Sequence, residues 1–177
     1  MKKITYKDTL ELALPDHWGV FDYNGDARIF ENGDDKNIFE IYFISPKELK
    51  LKKYYNAVDM LNALPKGDEE IFSLGKGVFL RCYTDKFSRG KRRFISYYWF
   101  IANKSSLQTK KAVSLSYTAT VKDMSSNDCQ DIAKMFDKQI RKINFIGSEM
   151  SDESSITVTL ESSGQTLIVG EVEGMYY

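Results

Sequence analysis

With 177 residues, 42% of them hydrophobic and 28% charged, the chain suits one domain that buries about 70% of its unfolded surface and folds without a metal or disulfide. Its 25 basic and 25 acidic side chains cancel, which excludes a net field drawing it to nucleic acid, an anionic membrane or an acidic substrate. No apolar stretch approaches membrane-spanning length, and Lys7, Asp8 and Glu11 interrupt the run a signal peptide needs, so a soluble cytoplasmic protein without membrane insertion is expected. Cys82 falls in a strand pattern and Cys129 on an apolar helix face. Both are expected as reduced, buried thiols with no metal role and no cofactor.

Taken in order, Thr9 to Leu14 alternates as a short strand and ends at Pro15-Asp16-His17-Trp18-Gly19, a turn expected to present the Trp18 indole. Val20 to Tyr23 and Asp26 to Glu31 form a hairpin across Asn24-Gly25, which tolerates positive φ, and the register sets Val20 against Ile29 and Asp22 against Ala27. Ile38 to Ile44 is a strand with Phe39, Ile41 and Phe43 on one side. Ser45-Pro46-Lys47-Glu48 then carries a capping box, and Leu51, Tyr54, Tyr55, Val58, Leu61 and Leu64 form one helical stripe up to Pro65 and Gly67.

Ile71 to Leu74 and Val78 to Tyr83 are strand-like around Gly75-Lys76-Gly77, where a bulge or bend is expected. A basic loop leads into Arg93 to Ala102, the stretch on which the fold turns. Phe94, Tyr98 and Phe100 alternate there with Ile95, Tyr97, Trp99 and Ile101, so both faces are apolar and the strand belongs inside a sheet covered on both sides. Ala112 to Val121 alternates apolar residues with Ser114, Ser116, Thr118 and Thr120, which predicts one wet face. Ser125 or Ser126 caps a final helix whose stripe is Cys129, Ile132, Ala133, Phe136, Ile140 and Ile143, with Asp137 spaced to pair with Arg141. Beyond Gly147 a polar, acidic stretch precedes a hairpin, Ile156 to Leu160 and Thr166 to Val172.

These elements define an α+β fold. It is a three-layer α/β/α sandwich about a central twisted, mainly antiparallel sheet, with a C-terminal β-hairpin appendage. The core domain is 1–147, and 148–177 is a polar linker and hairpin packed on it. The element order, with Leu14-Pro15-Asp16-His17-Trp18 near the start and an amphipathic helix ending in Ile143-Asn144-Phe145-Ile146, resembles the PsbP-like family over about Thr5 to Gly147. That family includes Ran-binding nucleotide-release factors, bacterial proteins of unknown function and chaperones of type VI secretion effectors. The resemblance implies a bacterial protein that binds other proteins instead of catalysing a reaction. The C-terminal hairpin departs from the family pattern.

Each candidate site has a plainer rival. Asp22, Asn24, Gly25 and Asp26 match the opening of a calcium loop, but Ala27 and Gly33 stand where glycine and a bidentate glutamate are needed, and the hairpin turn explains the same letters. Lys86, Arg89, Lys91, Arg92 and Arg93 could hold phosphates, although a solvated hairpin tip suits a neutral chain better, and no nucleic acid partner is expected. His17 is the one histidine, with no nucleophile motif around it, so no catalytic residue is assigned. The 11 Tyr, 11 Phe and 2 Trp exceed what a core obviously requires. Tyr83, Tyr97, Tyr98, Trp99 and Trp18 are therefore the candidate partner-binding residues, on an aromatic sheet face or edge. The expected function is a non-catalytic protein-binding module, whether chaperone, adaptor or immunity protein. The alternative is a small-ligand or lipid binder with an enclosed apolar pocket.

Overall fold

A computed structural model describes residues 1–6, 10–23, 26–31, 34–45, 47–51, 56–64, 69–103, 112–122, 129–145, 156–160 and 166–169. The strand expected around Tyr97 spans Arg92–Ala102 (β8) and pairs on one side with Val78–Arg89 (β7) and on the other with Ala112–Val121 (β9), antiparallel throughout. Outside β9 lie Asp34–Ile44 (β5), Asp26–Glu31 (β4) and Trp18–Tyr23 (β3). Outside β7 lies Ile71–Gly75 (β6), so the seven-stranded sheet runs β3-β4-β5-β9-β8-β7-β6.

Alternation along the strands gives this sheet two apolar faces. On one face Ile44, Phe100, Ala102 and Ala112 pack against Ala57, Met60 and Leu61 of the short helix Ala57–Asn62 (α1). On the other, Phe39, Ile95, Trp99, Leu115 and Tyr117 pack against Ala133, Phe136 and Ile140 of Gln130–Ile140 (α2). The helices lie on opposite faces, as the three-layer reading requires.

The α2 face is shared with a second sheet. Lys2–Tyr6 (β1) and Leu10–Leu14 (β2) bury Ile4, Tyr6, Leu10, Leu12 and Leu14 in the same core as Phe136. Tyr6 stacks on Phe43 of the large sheet at 5.0 Å between ring centres. Asn144–Phe145 (β10) pairs with β2, and the C-terminal hairpin, Ile156–Leu160 (β11) with Thr166–Val169 (β12), pairs through β11 with β1. The expected appendage is thus joined by main-chain hydrogen bonds to a five-stranded sheet, β10-β2-β1-β11-β12. β1 is a strand that the sequence reading did not foresee.

Trp18 is 1% exposed, so the turn does not present it. Its ring meets Phe136 edge-on at 5.1 Å, and Phe136 stacks on Phe39 at 4.1 Å. The Trp18 N–H donates to Pro15 O at 3.2 Å, closing the turn. Lys2 is buried too and donates to the Trp18 and Asp16 carbonyls, and burial lowers its pKa although Asp16 opposes the shift. The Leu-Pro-x-x-Trp turn and the last helix, far apart in sequence, are packed against each other.

Other expectations change. The Ser45 box forms, with Glu48 N–H donating to Ser45 Oγ at 3.3 Å and Ser45 N–H to Glu48 Oε2 at 2.6 Å. It caps one turn only, because Lys50 adopts φ 53°, a left-handed conformation that ends a helix. The helix restarts at Asn56, whose side chain accepts from Asp59 N–H at 2.9 Å. Leu61 and Leu64 of the expected stripe are buried, joined by Ala57 and Met60, while Val58 is only half-buried.

Gly75-Lys76-Gly77 does more than bend. All three have positive φ, 85°, 50° and 77°, and the chain reverses there into β7, with a register shift between Ser73 and Gly75. The expected wet face of β9 is buried at Ser114 and Ser116. In register these small side chains lie between Tyr42 and Phe100 and between Glu40 and Tyr98, whose bulk covers them. Val20 faces Ile29 and Asp22 faces Ala27, as the hairpin predicts. Asn24, Gly25, Ser125 and Ser126 lie outside the described residues.

Candidate functional site

β7 and β8 are 12 and 11 residues long, whereas β6 has 5. β6 pairs with β7 only from Val78 to Arg81, so the rest of the β7–β8 hairpin runs past it. α2 lies across the base of this overhang. Between helix and hairpin is an open-sided groove of about 500 Å³.

Its floor is Cys82, Thr84, Tyr97 and Trp99, and its helical wall is Gln130, Ala133, Lys134 and Asp137, with Lys86 at the hairpin end. The register explains the floor: Cys82 opposes Trp99 and Thr84 opposes Tyr97, so all four side chains belong to the α2 face. Tyr97 and Trp99 are stacked, 6.3 Å apart with planes at 22°. Trp99 Nε1–H donates to Asp137 Oδ1 at 2.9 Å, and Arg141 Nε–H donates to Asp137 Oδ2 at 2.7 Å. The Arg141 guanidinium continues to the half-exposed Phe72 ring of β6, 5.7 Å from its centre. A chain of contacts from Trp99 through Asp137 and Arg141 to Phe72 fixes the helix to the sheet at this end.

Burial pushes the Tyr97 phenol up to about 12, helped by its contact with Cys129 Sγ at 3.7 Å. Burial also raises the Cys82 thiol, with Arg141 opposing and Asp137 and Glu69 adding to the shift. A thiol so raised is held protonated at neutral pH, a poor nucleophile. His17 is exposed beside Trp18 and does not line the groove. Among the described residues no group of three or more His, Cys, Asp or Glu side chains is placed to hold a metal. What the groove offers is aromatic surface, ring edges and a polar rim.

The structure brings four of the five aromatic candidates together in two layers. Tyr97 and Trp99 face the groove. Tyr83 and Tyr98 border it but stack on each other at 4.6 Å on the α1 face, because neighbours along a strand point to opposite sides. Burial and the nearby Tyr98 push Tyr83 up to about 12. Trp99 is only 3% exposed and Trp18 lies in the core, so an occupant would reach Tyr97 before either indole. Sequence reasoning missed the helical wall, since nothing local to Gln130 or Lys134 shows what they face.

The basic loop is a hairpin tip. Arg89 opposes Arg92, leaving Gly90-Lys91 as a two-residue turn with Gly90 at φ 61°, the first-position glycine of a type II′ turn. Lys86, Arg89, Lys91, Arg92 and Arg93 are all exposed. Phe87 and Phe94 stack at 5.2 Å beneath the tip, with Arg89 over Phe87 at 5.4 Å. Arg93 donates to Lys122 O at 3.1 Å.

Like Lys2, a second buried cation was not foreseen. Arg81 is 1% exposed. It donates to Leu61 O at 2.6 Å and Leu64 O at 3.3 Å, carbonyls at the end of α1, and pairs with Glu69 at 3.2 Å. A guanidinium at a helix C-terminus satisfies its open carbonyls and complements its dipole. Arg81 thereby ties α1 to β7.

No protein-family model matches the chain, and no curated protein matches it. Solved structures do. A protein from Bacteroides thetaiotaomicron aligns with TM-score 0.57 and 14% identity over 92% of this chain and 54% of that one, so the chain spans about half its length. A mutant of the protein Mog1 aligns with TM-score 0.50 and 11% identity over 77% of this chain and 90% of that one. LpqN of Mycobacterium tuberculosis, involved in cell envelope biogenesis, aligns with TM-score 0.43 and 17% identity over 78% and 83%. The first two likenesses are of fold: the chain has the twisted antiparallel α+β architecture that Mog1 shares with PsbP.

Proposed function

We propose that the chain is a non-catalytic protein-binding module, of the chaperone, adaptor or immunity-protein kind, that holds a segment of its partner in the groove between α2 and the β7–β8 hairpin. The observation that carries this reading is the groove's form: an aromatic floor, a polar rim and an open side. Recessed aromatic surface with a polar border is what protein interfaces favour. An enclosed apolar chamber would suit a small ligand or lipid, but an open side suits a polypeptide that enters and leaves. The free thiols of Cys82 and Cys129 fit a cytoplasmic setting.

Affinity capture from the native lysate, with native mass spectrometry of the purified protein in parallel, tests the reading. Gln130→Trp and Thr84→Arg place bulk in the groove from exposed positions and spare the core. A stoichiometric protein partner held by the unaltered chain and lost by both variants is the expected result. A small molecule carried through purification, with no partner sensitive to these changes, overturns it.

A further inference from the structure

β6 is the outermost strand on its side of the large sheet. Among the described residues no strand pairs with its outer edge, whereas β3 at the other side has β12 beside it. Its residues Ile71-Phe72-Ser73-Leu74-Gly75 include no charge and no proline, the usual guards of an open edge. The ladder fixes which main-chain groups face out. Arg89 and Arg92 close a two-residue turn and exchange both hydrogen bonds, so by alternation Leu80 directs its N–H and C=O toward β6, where it meets Phe72. Ile71 and Ser73, on either side of Phe72, therefore direct theirs outward. Among the described residues neither has another main-chain partner. The register shift of β6 comes after Ser73, and the Gly75 N–H donates to Ser73 Oγ at 3.4 Å, so the open edge is the regular stretch from Ile71 to Ser73.

We infer that this edge pairs with the same edge of a second copy of the chain, antiparallel about a twofold axis at Phe72. That register sets Ile71 against Ser73 of the second copy twice over and makes four main-chain hydrogen bonds from outward groups alone, whereas centring on Ile71 or Ser73 makes two. Phe72, 38% exposed in the single chain, then faces its own counterpart at a non-hydrogen-bonded position, where side chains come closest. Charge agrees with the same axis. Glu70 and Lys76 flank the edge, both exposed, and among the described residues neither is ion-paired in its own chain. The twofold places Glu70 of each copy diagonal to Lys76 of the other, while parallel pairing would align like charges. No described residue of β6 lines the groove, so the two surfaces are separate. An interface this short gives a weak, reversible dimer.

Sedimentation equilibrium of the full chain from micromolar to millimolar concentration tests this directly. The expected result is a monomer–dimer equilibrium that Phe72→Glu, a change at an exposed position, weakens by about tenfold or more. Glu70→Lys weakens it by about two- to fivefold, and adding Lys76→Glu to that variant restores it. Amide exchange at Ile71 and Ser73 slows as concentration rises. Phe72→Cys joins two copies through a disulfide under mild oxidation, since facing non-hydrogen-bonded positions lie within disulfide reach, and Phe21→Cys on β3 does not. A monomer at every concentration overturns the inference, as does a dimer indifferent to Phe72→Glu. Equal crosslinking from positions 21 and 72, or a charge exchange that fails to restore the dimer, overturns it too.

Discussion

Arg81 shows how much a single residue can do without being visible in the sequence. It reads as one more polar residue on a strand, and its partners Leu61 and Leu64 lie 20 and 17 residues away, beyond any local pattern. The pair Asp137 and Arg141 was legible because i,i+4 neighbours meet on a helix wherever the helix goes. Arg81→Met takes the guanidinium from the Leu61 and Leu64 carbonyls and from Glu69, and chemical denaturation should report a loss of about 3 kcal/mol. Trp18→Ala removes the ring between Phe136 and Tyr117 and should cost about 3–5 kcal/mol in the same measurement. Tyr83 and Tyr97, pushed up to about 12, keep protons that the unfolded chain releases at about 10. The unfolded state therefore binds fewer protons above pH 10, and stability falls as pH rises from about 10 to about 12 while being complete below. Denaturation at stepped alkaline pH checks this, and Tyr83→Phe with Tyr97→Phe should flatten the slope.

At the scale of elements, alternation was the dependable signal. β5, β8 and β9 and the β3–β4 register follow from it, because a period of two has only one solution once a face is buried. Helical continuity was less so. The stripe from Leu51 to Leu64 leaves open a break near Lys50, and Lys50 at φ 53° with a new cap at Asn56 supplies one, while Leu61 and Leu64 of the stripe are buried. The two caps should differ in weight. Asn56→Ala removes the start of α1 and should cost about 1 kcal/mol by thermal or chemical denaturation. Ser45→Ala releases a single turn and should cost a smaller amount. The serines of β9 were misread as wet because periodicity reports polarity along one strand, while burial depends on neighbours such as Phe100 and Tyr42 supplied by other strands.

For the whole molecule, the layers were legible and the groove was not. Opposed apolar faces on β8 require cover on both sides, and α1 and α2 supply it. The groove arises from a mismatch in length between β6 and the β7–β8 hairpin, which depends on where Gly75-Lys76-Gly77 turns the chain back. The cations likewise cancel over the whole chain yet gather at one projecting tip, so partner binding should weaken as salt is raised although the protein is neutral overall. The most direct measurement places a photo-crosslinking benzoylphenylalanine at Gln130, on the groove wall, and in a second protein at Phe21, exposed on the far edge strand of the same sheet. Irradiation in the native cell should give a discrete protein adduct from position 130 and not from position 21. The same adducts from both positions, or none from position 130, would contradict a partner-binding groove.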